Sequence, residues 1–123
     1  MALEVDPLLV ALVSEHGQET GSNANGSWIR FANGVQVCWH ALPVATSNFA
    51  VSPLYKTAPA VAWTFPQAFV GAPVCVAGVR WDNGTVVGVE FTGSSASSVG
   101  YAVVGTTATT RGIPMLGAIG RWK

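Results

Sequence analysis

Ionic side chains are scarce. The 123 residues carry six Lys or Arg and six Asp or Glu, while half are apolar. Soluble surfaces are usually charged at about a quarter to a third of their positions. Twelve charges cannot clothe a domain of this length in that way. The exterior is therefore expected to consist of Gly, Ser, Thr and apolar groups, or to be covered by another chain; we expect the second, an oligomer. Lys/Arg clusters are missing and the net charge is zero, which excludes a nucleic-acid footprint. No run of eighteen uninterrupted apolar residues occurs, so no membrane-inserting helix is expected. The start has acids and no basic n-region, so no secretory signal is expected. Two cysteines do not make a disulfide framework, and in a reducing cytosol Cys38 and Cys75 are expected to stay unpaired. Intrinsic disorder is excluded by the apolar content.

Groups for catalysis are equally few. Glycosidase chemistry needs two carboxyls facing one pocket. Beyond residue 27 the only acids are Asp82 and Glu90, which the expected strand register puts on opposite faces. Asp82 is better explained as a turn residue ahead of Asn83-Gly84. The two histidines, His16 and His40, are not accompanied by a G-x-S-x-G nucleophile turn. Cys38 and His40, two apart on a strand, share a face as metal ligands could. Zinc would want two more ligands, and a single Cys on an apolar strand is usually a small buried hydrophobe. No catalytic residue, metal or cofactor is expected.

What is present divides into two parts. Residues 1–27 contain Glu4, Asp6, Glu15 and Glu19 and no Lys or Arg, whereas residues 28–123 carry a balance of +4. The first part predicts a short helix within residues 1–17, with Asp6 as N-cap, Pro7 at the first turn and Gly17 as the stop. Val5, Leu8, Leu9, Leu12 and Val13 make an apolar stripe along it. About ten residues do not hold a helix alone in water, so the stripe is expected to serve trimerisation or attachment. Residues 18–27, polar and rich in Gly, Asn and Ser, read as a linker.

Residues 28–123 predict an all-β domain. Trp28–Ala32 and Val35–His40 flank Asn33-Gly34, a strong hairpin signal. A two-residue loop would set Trp28 opposite Trp39 and Arg30 opposite Val37. A second Asn-Gly, at 83–84, predicts a second hairpin from Val74–Asp82 and Thr85–Thr92, with Trp81 opposite Val86. Neither hairpin alternates apolar with polar residues as a sheet facing water does, so both faces are expected to be covered. Further strands are expected over Ala60–Phe65, Tyr101–Thr106 and Ile113–Trp122. Five prolines between residues 43 and 73 confine that region to edges or short pieces. The sum is an antiparallel β-sandwich of about seven to nine strands preceded by one short N-terminal helix.

Five tryptophans are the remaining candidates for binding. Trp39 and Trp63 sit in apolar runs and are expected inside. Trp81, beside a turn with Arg80, Asp82 and Asn83, is best placed to meet a ligand. Asn48 and Phe49, in the loop Thr46–Phe49, and the serine-rich loop Ser94–Ser98 are the other contact candidates.

These residues also carry a resemblance. Ser22-Asn23-Ala24-Asn25-Gly26-Ser27 leading into Trp28–Ala32, Asn33-Gly34 and Val37-Cys38-Trp39 is similar to the opening of the C-terminal receptor-binding domain of phage and prophage tail fibres. Thr64-Phe65-Pro66-Gln67-Ala68-Phe69 and the closing Ala118-Ile119-Gly120-Arg121-Trp122 resemble later motifs of the same family. Together they span residues 22–123. His40 departs from the Gly usual after that Trp. The resemblance implies a homotrimeric β-sandwich at a fibre tip in the virion, acting outside the cell in which it is made. It would bind a bacterial surface polysaccharide or lipopolysaccharide without catalysis and be joined to other phage tail proteins. The other reading is structural, a trimerisation cap or joint docking onto another tail component.

Overall fold

Strand-forming runs punctuated by Asn-Gly and Pro fold into two antiparallel sheets. A computed structural model describes residues 17–123; the expected helix, with its stripe Val5, Leu8, Leu9, Leu12 and Val13, lies outside the described residues. Sheet I holds β1 (Gln18–Asn23), β2 (Gly26–Phe31), β3 (Val35–Ala41), β4 (Ala45–Ser47), β8 (Val74–Asn83) and β11 (Thr110–Arg121). Sheet II holds β5 (Phe49–Val51), β6 (Leu54–Lys56), β7 (Val61–Thr64), β9 (Val86–Ser94) and β10 (Ser98–Gly105). Eleven strands exceed the expected seven to nine, because β4, β5 and β6 are only three residues each. Those short strands lie in the proline-punctuated stretch.

Residues 18–27, read as a linker, are instead ordered by pairing. β1 lies antiparallel on β2 from Gln18↔Phe31 to Asn23↔Gly26, and the Asn23 side chain accepts from the Asn25 N–H across the turn. Polar composition marks an edge strand here, with Gly21 and Ser22 against Trp28 and Ser27.

The first hairpin forms, but its register is shifted by one residue. Trp28 faces Cys38 and Ser27 faces Trp39. The loop is Ala32-Asn33-Gly34, closed by the Gly34 N–H donating to Phe31 O at 3.0 Å. Gly34 takes φ 98°, a left-handed conformation suited to the last residue of a three-residue loop. The slip changes which side chains share a face: Trp39, expected inside, stands on the outer face, 48 % exposed.

The second hairpin does not form. β8 pairs with β11 and β9 pairs with β10, so Asn83-Gly84 carries the chain from one sheet to the other. Both strands are apolar on two faces, and each ladders onto the central strand of a different sheet, β8 on β11 and β9 on β10. β11 organises sheet I: β3 and β4 share one of its edges and β8 takes the other. Pro114, in mid-strand, falls between the end of the β4 pairing at Gly112 and the start of the β3 pairing at Met115. Its carbonyl accepts from the Leu42 N–H, so its missing N–H faces this break and the β8 ladder on the other edge is untouched.

Between the sheets, Cys38, Leu42, Trp63, Phe65, Phe69, Val99, Tyr101, Leu116 and Ala118 form the core. Trp63 is 2 % exposed. Its ring meets Phe65 edge-on at 5.1 Å, Phe65 meets Phe69 in the same way, and its N–H donates to Asn25 O at 2.8 Å. This one side chain ties sheet II to the β1–β2 turn. Trp63→Ala is expected to lower the unfolding free energy by about 3–5 kcal/mol, the usual cost of emptying a buried aromatic site. Urea titration followed by circular dichroism measures it, and a loss below about 1 kcal/mol would place Trp63 outside the core.

Candidate functional site

Because β8 and β9 leave their shared turn for different sheets, the sandwich stays open along their length. Among the described residues each has a ladder partner on one edge only. The opening is a groove of about 520 Å³ lined by Ala77, Val79, Trp81, Thr85, Val87 and Val89, among others. Trp81 stands at its end, 67 % exposed. Its indole N–H donates to Gly84 O at 2.6 Å, which fixes the ring against the turn while leaving its surface in solvent. Gly84 adopts φ 75°, and a Cβ there would sit 2.8 Å from the Thr110 hydroxyl. Only glycine lets the turn close against β11 in this way.

The turn brings several predicted contact residues to one end of the molecule. Arg111, at the start of β11, pairs with Asn83 on one side and with Thr46 on the other. Its Nε donates to Asp82 Oδ2 at 3.0 Å. Two strand spacings, about 10 Å, therefore separate the 80–83 segment from the 46–49 segment. Arg80 and Phe49 are exposed. The Asn48 side-chain Oδ1 accepts from the Ala58 N–H at 3.0 Å, and Asn48 also lines a depression of about 400 Å³ with Thr46, Thr57, Val61 and Tyr101. Ser94–Ser98 lies elsewhere: Ser97 O and Ala96 O accept from the Phe65 and Phe69 N–H groups, placing that loop at the opposite end. Arg111 is the residue that sequence reasoning missed. Its signal was a cation ending the exposed run Thr106-Thr107-Ala108-Thr109, directly before a strand.

A third depression, about 370 Å³, is lined by Glu19, Arg30, Trp122 and Lys123. Here Arg30 and Trp122 are already engaged with their neighbours. The Arg30 Nε donates to Gln36 Oε1 at 2.6 Å, its guanidinium lies 5.0 Å from the Trp122 ring centroid, and the Trp122 indole N–H donates to Phe31 O. The arrangement fastens the end of β11 to β2.

Reactive groups are dispersed. Asp82 belongs to sheet I, and Glu90, beside Lys56 Nζ at 3.6 Å, belongs to sheet II. They therefore sit in separate sheets, a wider parting than opposite faces of one hairpin. Among the described residues no group of three His, Cys, Asp or Glu is placed to hold a metal. Cys38 and Cys75 flank Ala118 in one row across β3, β11 and β8. Two strand spacings put their Cα atoms about 10 Å apart, too far for a disulfide; both are free thiols.

The whole arrangement has been seen before. It matches the structure of an N-truncated R1-type pyocin tail fibre, with TM-score 0.61 and 20 % identity over 98 % of this chain and 99 % of that one. The chain carries a tail-fibre fold. A longer C-terminal piece of the R1 pyocin fibre of P. aeruginosa also matches, with TM-score 0.58 and 23 % identity over 84 % of this chain and 28 % of that one. No family model and no curated protein matches the chain.

Within this tail-fibre fold the thiols are structural. Burial pushes both Cys38 and Cys75 above the ordinary thiol range, which holds them protonated, and the thiolate is the form that reacts. At pH 8 iodoacetamide is expected to label Cys75 more slowly than free cysteine, and Cys38, at 0 % exposure, more slowly still. Rapid labelling of Cys38, read by peptide mass spectrometry, would contradict its place in the core.

Proposed function

We propose that this chain is the receptor-binding tip of a tail fibre, attaching as a homotrimer to a bacterial surface polysaccharide or lipopolysaccharide without catalysis. The observation that carries the reading is the correspondence of nearly the whole chain with nearly the whole of a pyocin tail-fibre chain. The chemistry of the β8–β9 groove supports it. An exposed indole at the end of an apolar cleft suits the C–H face of a sugar ring. The free backbone N–H and C=O groups along β8 and β9 offer donors and acceptors for hydroxyls. Arg80, Asp82, Asn83 and Arg111 surround the same end, with Asn48 and Phe49 across β11.

Such a site is shallow, and one copy would bind weakly. Three copies on one fibre raise the effective concentration of each further contact, so avidity exceeds the single-site affinity by orders of magnitude without any new contact. The place of action is the virion surface, and the remaining partners are other tail proteins.

The test is adsorption of the purified protein to a panel of bacterial cells and their extracted surface glycans. Binding to at least one strain is expected, and Trp81→Ala is expected to weaken it roughly tenfold or more, equivalent to about 1.4 kcal/mol per site. Unchanged adsorption would remove Trp81 from the site. Binding to extracted protein receptors alone, or to no cell at all, would overturn the glycan-receptor reading.

A further inference from the structure

We infer that the outer face of sheet I is the surface on which a second copy of this chain packs, so that the subunits turn their first sheets toward one another. The inference rests on the homotrimer in the proposed function and adds which surface builds it. On that face Trp39, Val74, Val76, Met115 and Ile119 are each 45–69 % exposed. The ladder register gathers them into one patch. Val37, Ile119 and Val74 form one row, Trp39, Gly117 and Val76 the next, and Ala41, Met115 and Gly78 the third. No ionisable group lies in those rows; Arg80 and Arg111 stand beyond one end and Arg121 beyond the other.

The outer face of sheet II is different. Glu90 and Lys56 project from it as an ion pair, Thr64 is exposed on the same side, and none of its rows is continuously apolar. Exposed Phe49 and Val51 lie on it only at the short edge strand beside Lys56, so sheet II offers no apolar patch as continuous as that of sheet I.

The relief of the patch points to a second copy as the occupant. Large and small residues alternate within it: Met115 stands beside Gly78, while the Val76 side chain leans over Gly117 next to Trp39. A Cβ added at Gly78 would meet nothing within 4 Å, so that position is an open hole beside a projecting side chain. A surface that carries both knobs and holes can interdigitate with another of the same pattern to interior density. The size also fits. Three strands about 4.8 Å apart, over the roughly 14 Å from Met115 to Ile119, give a plan area of about 200 Å². Trp39, Val74, Val76, Met115 and Ile119 stand out from it, and at 45–69 % exposure of full areas of roughly 150–250 Å² each they present on the order of 500 Å² of accessible surface, the area per partner at which specific interfaces begin. An apolar patch of this extent lies toward the upper end of what a monomer exposes.

Light scattering on the full chain at micromolar concentration tests the assignment. The wild type is expected at three times 12.7 kDa. Met115→Glu combined with Ile119→Glu is expected at the single-chain mass with its β-sheet circular dichroism retained, whereas Thr64→Glu on sheet II stays trimeric. A trimer that survives the Met115/Ile119 change overturns this face and leaves the fibre-tip reading standing. A wild type of single-chain mass overturns the trimer itself. A second measurement needs no variant: in the wild type, dilute peroxide is expected to oxidise Met115 at least tenfold more slowly than free methionine. A rate near that of free methionine would show the face uncovered and overturn the inference.

Discussion

The structure depends on a turn that refuses to pair the strands it joins. At Asn83-Gly84 the chain leaves sheet I and enters sheet II, and the left-handed Gly84 lies so close to Thr110 that a side chain there would collide with it. Had β8 and β9 zipped together through their free edges, the two sheets would have joined on this side and the groove would have closed. Sending each strand to a different central partner builds both sheets from one crossing. It also leaves an unclosed side, with inward-facing apolar residues in a groove and an indole at its end. The same constraint thus makes both the scaffold and the proposed place for a ligand.

The poverty of charge acquires a geometry in this fold. The Lys56–Glu90 pair marks the outer face of sheet II, while Asp82 and Arg111 sit together at the end near the crossing. Exposed ion pairs of this kind are worth at most about 1 kcal/mol each, so they do little for stability. Their placement matters more, because charge keeps one face and one end of the sandwich wet. The central rows of the outer face of sheet I receive none, with Arg80, Arg111 and Arg121 only at its ends. Uneven spending of few charges distinguishes the surface turned to water from the one suited to another subunit.

Much of this was legible in the residues. The all-β class followed from Asn-Gly punctuation and apolar runs, and β2, β3, β7, β8, β9, β10 and β11 fall close to where β-forming residues cluster. Registers were less accessible. Ala32-Asn33-Gly34 turns as three residues where Asn33-Gly34 suggested two, and that single step moved Trp39 from the core to the surface. The crossing at 83–84 was hidden for a deeper reason: a hairpin and a sheet-to-sheet turn share local chemistry, and the strands that β8 and β9 pair with, around Ile113–Ile119 and Ala102–Val104, are distant in the sequence. Gln18–Asn23 misled because an edge strand tolerates a linker's composition. For the site, Trp81 and its neighbours were visible from their turn, but Arg111 came to them only through β11, and Ser94–Ser98 went to the far end with Phe65 and Phe69.

The central claim is that the open β8–β9 side, with Trp81 at its end, receives a bacterial surface sugar. Its most direct measurement follows the five indole N–H resonances by NMR while oligosaccharide from a strain that the protein adsorbs to is added. The account predicts a saturable shift of the Trp81 signal, with the buried Trp63 signal unmoved. A Trp81 resonance that stays in place while another site on the protein saturates would contradict it.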